Sequence, residues 1–149
     1  MPKKELKFPK QIEDWLRKWG HELKKEGSLV LIGSGGILWH AWQQGRNEPL
    51  PDNSMDADPI TEDEEVAEKC YDSVIGSEFE EQEGWHINIM PKQTLKELPA
   101  GWEERVKTKI YGKLKVMVPS IPDLLAPKLK RGEPRDKKHA EYAEAFLSQ

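Results

Sequence analysis

The stretch SLVLIGSGG at residues 28–36 decides the fold. Ser28 to Ile32 is short, apolar and β-branched, and Gly33 closes it, which is the pattern of a buried strand. Gly33, Ser34, Gly35 and Gly36 then form a turn into a helix expected over Ile37–Gln44. Glycines let a backbone approach a ligand closely, and the free N–H groups where a helix begins attract phosphate. A plain strand-to-helix turn uses glycine equally well. No Gly-Lys-Ser/Thr follows and the spacing is not G-x-G-x-x-G, so the Walker A and dinucleotide fingerprints are excluded.

Outward from that junction, residues 46–54 form a loop rich in Pro and Asn, and Met55–Ile60 (MDADPI) reads as a strand whose end Pro59 places at an edge. Period-two geometry points Asp56 and Asp58 to one face, where two carboxylates repel each other unless a proton or a hard cation relieves them. Such a pair taken alone is more often a pair of solvated acids. Upstream, Ile12, Trp15, Leu16, Trp19 and Leu23 mark one face of a helix over 9–25, which Gly20 weakens. Downstream, Thr61 and Glu64 form a capping-box pattern opening a helix to Val74, and EFEEQEG is an acidic loop. Trp85–Met90 and Lys113–Val118 alternate as strands. Ser120 caps a helix that Pro127 should kink or break, and a last helix over Arg135–Leu147 turns Ala143, Phe146 and Leu147 inward. The order is α-β-α-β-α-β-β-α-α. It predicts an α/β (α+β) domain over residues 1–149: N-terminal helix about 9–25, sheet core about 28–118, C-terminal helices about 120–148.

Charge is sorted along the chain. The net charge is −4, divided as +4 over residues 1–47, −14 over 48–104 and +6 over 105–149. Lys113, Lys115, Lys130, Arg131, Arg135, Lys137 and Lys138 make the basic third a candidate RNA footprint, although a solvated basic face is as good an account. No apolar run approaches the roughly 18–20 residues of a membrane span. The basic start lacks a signal-peptide core, and the single Cys70 excludes an internal disulfide. A soluble, cytoplasmic protein without membrane partners is expected. Trp39, His40, Trp42 and Trp102 are read as packing residues, Cys70 as a buried helical thiol, and His21 and His139 as surface or helix-end histidines.

Taken together, a strand ending in Gly33-Ser34, a helix, and a neighbouring strand bearing Asp56-Ala57-Asp58 resemble the nucleotidyltransferase superfamily that includes DNA polymerase beta. The likeness is strongest with its small bacterial and archaeal branch containing AbiEii-type toxins. Ser54-Met55-Asp56-Ala57-Asp58 is similar to that branch's Thr-x-Asp-x-Asp, and Gly45-Arg46 to its preceding Gly-x-Arg, with a longer loop between them here. Residues 118–136 (VPSIPDLLAPKLKRGEPRD) are similar to its C-terminal segment, with Lys128, Arg135 and Asp136 in register.

The resemblance implies a mixed sheet flanked by helices, and a Mg²⁺-dependent transfer from a nucleoside triphosphate, with one or two ions. Asp56 and Asp58 would hold the metal, and Gly33, Ser34, Gly35, Gly36, Arg46 and Arg135 the nucleotide. Lys128 would neutralise the transferred phosphate, and Asp136 would assist nucleophile or metal. The acceptor would be a hydroxyl of RNA or protein, with a toxin–antitoxin or defence setting and a cognate protein partner. Polymerase-like members draw a third carboxylate from the next strand, where this chain offers His86 and Asn88. The alternative is therefore a catalytically degenerate module that binds or regulates.

Overall fold

The computed structural model describes residues 5–51 and 56–147. Its elements are α1 (Pro9–Glu22), β1 (Gly27–Ile32), α2 (Gly33–Gln43), β2 (Asp56–Ile60), α3 (Glu64–Tyr71), α4 (Glu78–Glu83), β3 (His86–Ile87), a 3-10 segment (Lys92–Glu97), α5 (Trp102–Arg105), β4 (Lys107–Tyr111), β5 (Leu114–Val118), α6 (Ile121–Arg131) and α7 (Pro134–Leu147). Ser54 and Met55 of the acidic motif lie outside the described residues, as do the side chains of Phe146 and Leu147.

The sheet is mixed, in the order β3-β2-β1-β5-β4. β1 runs parallel to β5 and antiparallel to β2, β2 runs parallel to β3, and β4 and β5 form an antiparallel hairpin. Leu29, Leu31, Ala57, Ile87, Leu114, Val116 and Val118 are buried on one face beneath the helices. Alternation puts Val30, Asp56, Asp58, Lys115 and Met117 on the other face, less buried. This is the α/β architecture with C-terminal helices that the sequence predicts.

The amphipathic stripe of α1 is buried as expected, Ile12 and Leu16 completely. Gly20 strengthens that packing. A Cβ there would stand 1.8 Å from the Tyr111 carbonyl oxygen, so only glycine lets α1 lie directly on the β4–β5 hairpin. Tyr111 adds a buried polar tie, donating to Glu13 Oε1 (2.7 Å) and accepting from Trp39 Nε1 (2.9 Å). These bonds link β4 to α1 and α2.

Several local expectations change. Gly33, Ser34, Gly35 and Gly36 are the first turn of α2, which starts at Gly33 rather than at Ile37. The acidic run is a short helix, α4, because Ser77 Oγ accepts from the Glu80 N–H and Gly84 (φ +83°) closes its end. Thr61 does not cap α3. Its hydroxyl donates to the Ser28 carbonyl (2.6 Å), and Asp63 precedes the helix instead.

The strand expected to Met90 pairs with β2 for two residues only, although the Asn88 and Met90 N–H groups still donate to Ala57 and Pro59 carbonyls. Pro59 has no N–H to answer Asn88, so the ladder ends there. β2 itself is interior, between β1 and β3, rather than an edge. α6 passes through Pro127 unbroken, secured by its Ser120 cap, by buried Leu124 and Leu125, and by Gly132 (φ +71°). β4 has no counterpart among the expected strands, since only Tyr111 in KTKIY is buried and no apolar alternation marks it. Among the described residues no helix is long and apolar enough to cross a membrane.

Candidate functional site

The end of β1 organises the site. Antiparallel pairing sets Ile32 opposite Asp58, so the Asp58 carboxylate stands beside the turn where β1 becomes α2. Gly33 occupies that turn with φ +67°, and a Cβ there would lie 2.8 Å from Asp58 Oδ2. Its missing side chain keeps one face of the carboxylate open. Gly35 and Gly36 serve packing: a Cβ on Gly36 would meet the Leu31 carbonyl at 2.9 Å and Leu124, and one on Gly35 would press on Leu31 and Ala57. The N–H groups of this first helical turn lack intrahelical partners, and among the described residues no side chain caps them.

Asp56 and Asp58 share the open face of β2, as period two requires. Burial, and then the neighbouring Asp56, push the Asp58 carboxyl up to about 6. Asn88 Nδ2 donates to Asp58 Oδ1 (3.3 Å), and Lys128 acts on the same carboxylate through space. On β3, His86 stands in register with Asp56. Its Nε2 is 4.0 Å from Asp56 Oδ2, and its Nδ1 makes a close but oblique contact of 2.7 Å with Glu80 Oε2.

The C-terminal helices close the other side. Lys128 Nζ donates to Ser34 Oγ (3.4 Å) and lies 3.3 Å from His139 Nδ1, which is itself 3.4 Å from Ser34 Oγ. An ammonium has no lone pair to offer, so His139 accepts at Nδ1. Burial pulls the Lys128 ammonium below its ordinary range, opposed by Asp136 at 3.9 Å. Asp136 is fully buried and takes two bonds from Arg131, Nε at 2.8 Å and a terminal nitrogen at 2.6 Å, which hold its carboxyl down at about 2. Both Asp136 oxygens accept from Arg131, and the carboxylate faces Lys128 as a counter-ion.

The structure thus brings Gly33, Ser34, Asp56, Asp58, Lys128 and Asp136 to one end of the sheet. Arg135 is exposed on α7, within electrostatic reach of Lys128. Arg46 stands past the far end of α2, its N–H bonded to the Ala41 carbonyl, and is not brought to the acids. His40 packs as expected, with Nε2 2.8 Å from the Pro119 carbonyl oxygen. Cys70 is buried, its thiol pushed up to about 12.

Two participants escape sequence reasoning. His139 is not a surface residue but 1% exposed at the heart of the cluster. The signal lies in spacing: Asp136, His139, Ala140 and Ala143 recur at i, i+3, i+4 and i+7, and all are buried. Glu80, one acid of the EFEEQEG run, is not simply solvated but turned onto His86.

No three His, Cys, Asp or Glu side chains among the described residues already surround one point as a metal cage. A Mg²⁺ ion carried in by a polyphosphate needs only one or two carboxylates and completes its shell with phosphate oxygens and water. The desolvated Asp58, its neighbour Asp56 and the space at Gly33 fit that demand. Gly33→Ala is expected to cost about 1–2 kcal/mol for the left-handed backbone and to displace the carboxylate. Mg²⁺-dependent nucleotide affinity, followed by calorimetry, should fall by about 10-fold or more.

No curated protein and no solved structure matches the chain. A family model described as "Nucleotidyltransferase of unknown function (DUF6036)" matches residues 10–145. The strand–glycine–helix junction, the paired acids of β2 and the buried lysine of α6 all fall within that span, and the chain belongs to this family of nucleotidyltransferases.

Proposed function

We propose that the protein moves a nucleoside monophosphate from a nucleoside triphosphate to a hydroxyl group. The observation that carries this is the convergence of two carboxylates, one raised in pKa by burial, on a glycine-opened helix start backed by a buried lysine. Asp56 and Asp58 would hold Mg²⁺, which supplies charge neutralisation on the triphosphate. The N–H groups at Gly33 and Ser34 would orient the phosphates, and Ser34 Oγ would add a hydroxyl. Lys128, aimed at Ser34 and steadied by Asp136, would meet the charge that grows on the transferred group. The acceptor oxygen bonds to the α-phosphorus as the bond to pyrophosphate breaks, and the hydroxyl proton is released.

RNA is the acceptor favoured by the +6 C-terminal third, with protein hydroxyls as the other class. Kinship with the AbiEii-toxin-like branch, a cytoplasmic toxin–antitoxin or defence setting and a cognate partner protein belong to the same proposal, and rest on the motif likeness around Lys128, Arg135 and Asp136. A second reading, a degenerate module that binds without transferring, is favoured by one observation: β3 presents His86, and Asn88 follows just past its end, where a third carboxylate would be. Calorimetry with Mg²⁺ and each of the four ribonucleoside triphosphates tests the proposal. Binding at or below millimolar concentration that needs Mg²⁺ is expected, and its absence for all four would sink the transfer reading.

A further inference from the structure

The buried cluster beside the helix start holds one titratable side chain that the transfer steps do not use. His139 is 1% exposed, less than Lys128 or Ser34 at 7% each, so it acts through what it touches rather than on a substrate. Its Nδ1 lies 3.3 Å from Lys128 Nζ and 3.4 Å from Ser34 Oγ. Lys128 Nζ and Ser34 Oγ are themselves 3.4 Å apart, so imidazole, ammonium and hydroxyl close a triangle. Its corners come from three helices, α7, α6 and α2.

A lysine ammonium ends a flexible four-carbon stem, and its direction has to be imposed from outside. Asp136 supplies attraction without direction: it lies 3.9 Å away, and both its oxygens accept from Arg131. Among the described residues, the groups at bonding distance from Nζ are Ser34 Oγ and His139 Nδ1. α7 presents Asp136 and His139 one turn apart, the spacing that puts i and i+3 on one face. Histidine suits the second place because a neutral imidazole accepts a hydrogen bond at its bare nitrogen and carries no charge. A carboxylate there would pair with the ammonium and discharge it. Imidazole aims the ammonium and leaves its charge for a phosphate.

We propose that His139 is a positioning residue: its Nδ1 lone pair aims the Lys128 ammonium at Ser34 and at the phosphate that the helix start would receive. The inference rests on the nucleotide-transfer reading of the site and adds to it a residue that touches no substrate. The proton of the neutral ring is then on Nε2. Without the acceptor, Lys128 keeps its charge but loses its direction. The cost falls on the step in which charge grows on the transferred group, rather than on nucleotide binding.

The test joins a spectrum to a pair of variants, all in the full chain. In a long-range ¹H–¹⁵N spectrum at neutral pH, a ring nitrogen with a bare lone pair resonates far downfield of one that carries a proton. The four histidines are sorted by the signals missing from the variants. His139 Nδ1 should be the bare nitrogen and Nε2 the protonated one. His139→Leu should lower kcat for nucleotide transfer about 10-fold or more, while KM stays within about three-fold. His139→Asn puts an amide oxygen where Nδ1 stood and should hold kcat within about three-fold of the unaltered protein. A proton on Nδ1 overturns the proposal, and that result needs no variant to fold. So does a Leu variant that keeps kcat, or Leu and Asn variants that lose it equally. Each of these leaves nucleotide transfer standing. An unaltered protein that transfers no nucleotide in the presence of Mg²⁺ sinks the transfer reading itself, and the proposal with it.

Discussion

Asp58→Asn should abolish nucleotide transfer and, at the same time, make the metal-free protein more stable at neutral pH. Both effects come from the same burial. In the folded chain the Asp58 carboxyl is raised to about 6, against an ordinary value of 3.8 in the unfolded chain. Between those values the folded state holds the proton more firmly than the unfolded state. Stability therefore falls as pH rises through the window from about 4 to about 6, and the cost is fully present above it. Two units correspond to at most ~3 kcal/mol, and partial solvent access reduces this to about 1–2 kcal/mol. Asparagine keeps the shape and the bond from Asn88 but never ionises. Urea denaturation of the variant at pH 7.5 should thus show a gain of about 1–2 kcal/mol that disappears near pH 4. Saturating Mg²⁺ with nucleotide should stabilise the wild type more than the variant. Transfer should fall about 10³-fold or more, the loss expected when a metal-held charge is removed from a phosphoryl site. A variant less stable than wild type at pH 7.5 would contradict the electrostatic account of Asp58.

Lys128→Met carries the second large effect. Methionine has similar length and fills the same buried space, and Asp136 keeps both of its bonds to Arg131. The fold should survive with a change of about 1–2 kcal/mol, since one buried charge and its weak Ser34 and His139 contacts are lost together. Transfer should slow about 10²–10³-fold, or ~3–4 kcal/mol of transition-state stabilisation. The loss should fall mainly on kcat, because the charge Lys128 meets grows as the bond to pyrophosphate breaks. If the variant retains kcat within about three-fold, Lys128 is only a structural partner of Ser34 and His139.

How much of this is legible in the chain depends on whether the signal is local. The apolar run Leu29–Ile32 and the stripe of Ile12, Trp15, Leu16 and Trp19 announce themselves by period, and the sheet and its helical cover follow. Asp56 and Asp58 are two residues apart, so their shared face is a property of any strand. β4 escapes because its buried content is a single Tyr111, and its place comes from the hairpin with β5 and from contact with Gly20. α4 escapes because charge outweighs its Ser77 cap and Gly84 stop.

In the candidate site, what stays hidden in the sequence is the set of partners that only the folded chain supplies, near or far. His139 meets Ser34 across 105 residues, and Asp136 is held by Arg131, five residues away and read as surface charge. Glu80 needs both the folding of α4 and the parallel placing of β3 before it can face His86. The −14 middle of the sequence is thereby divided: Asp56, Asp58 and Glu80 belong to one corner, and much of the rest is solvated.

The central claim is that Asp56 and Asp58 are the charges through which this protein transfers a nucleotide. It is tested most directly by incubating the full chain with Mg²⁺ or Mn²⁺, an α-³²P-labelled nucleoside triphosphate and total cellular RNA, beside the Asp56→Asn, Asp58→Asn double variant. The account predicts label covalently attached to RNA, release of pyrophosphate, and loss of both in the variant. Equal labelling by the two proteins would contradict it.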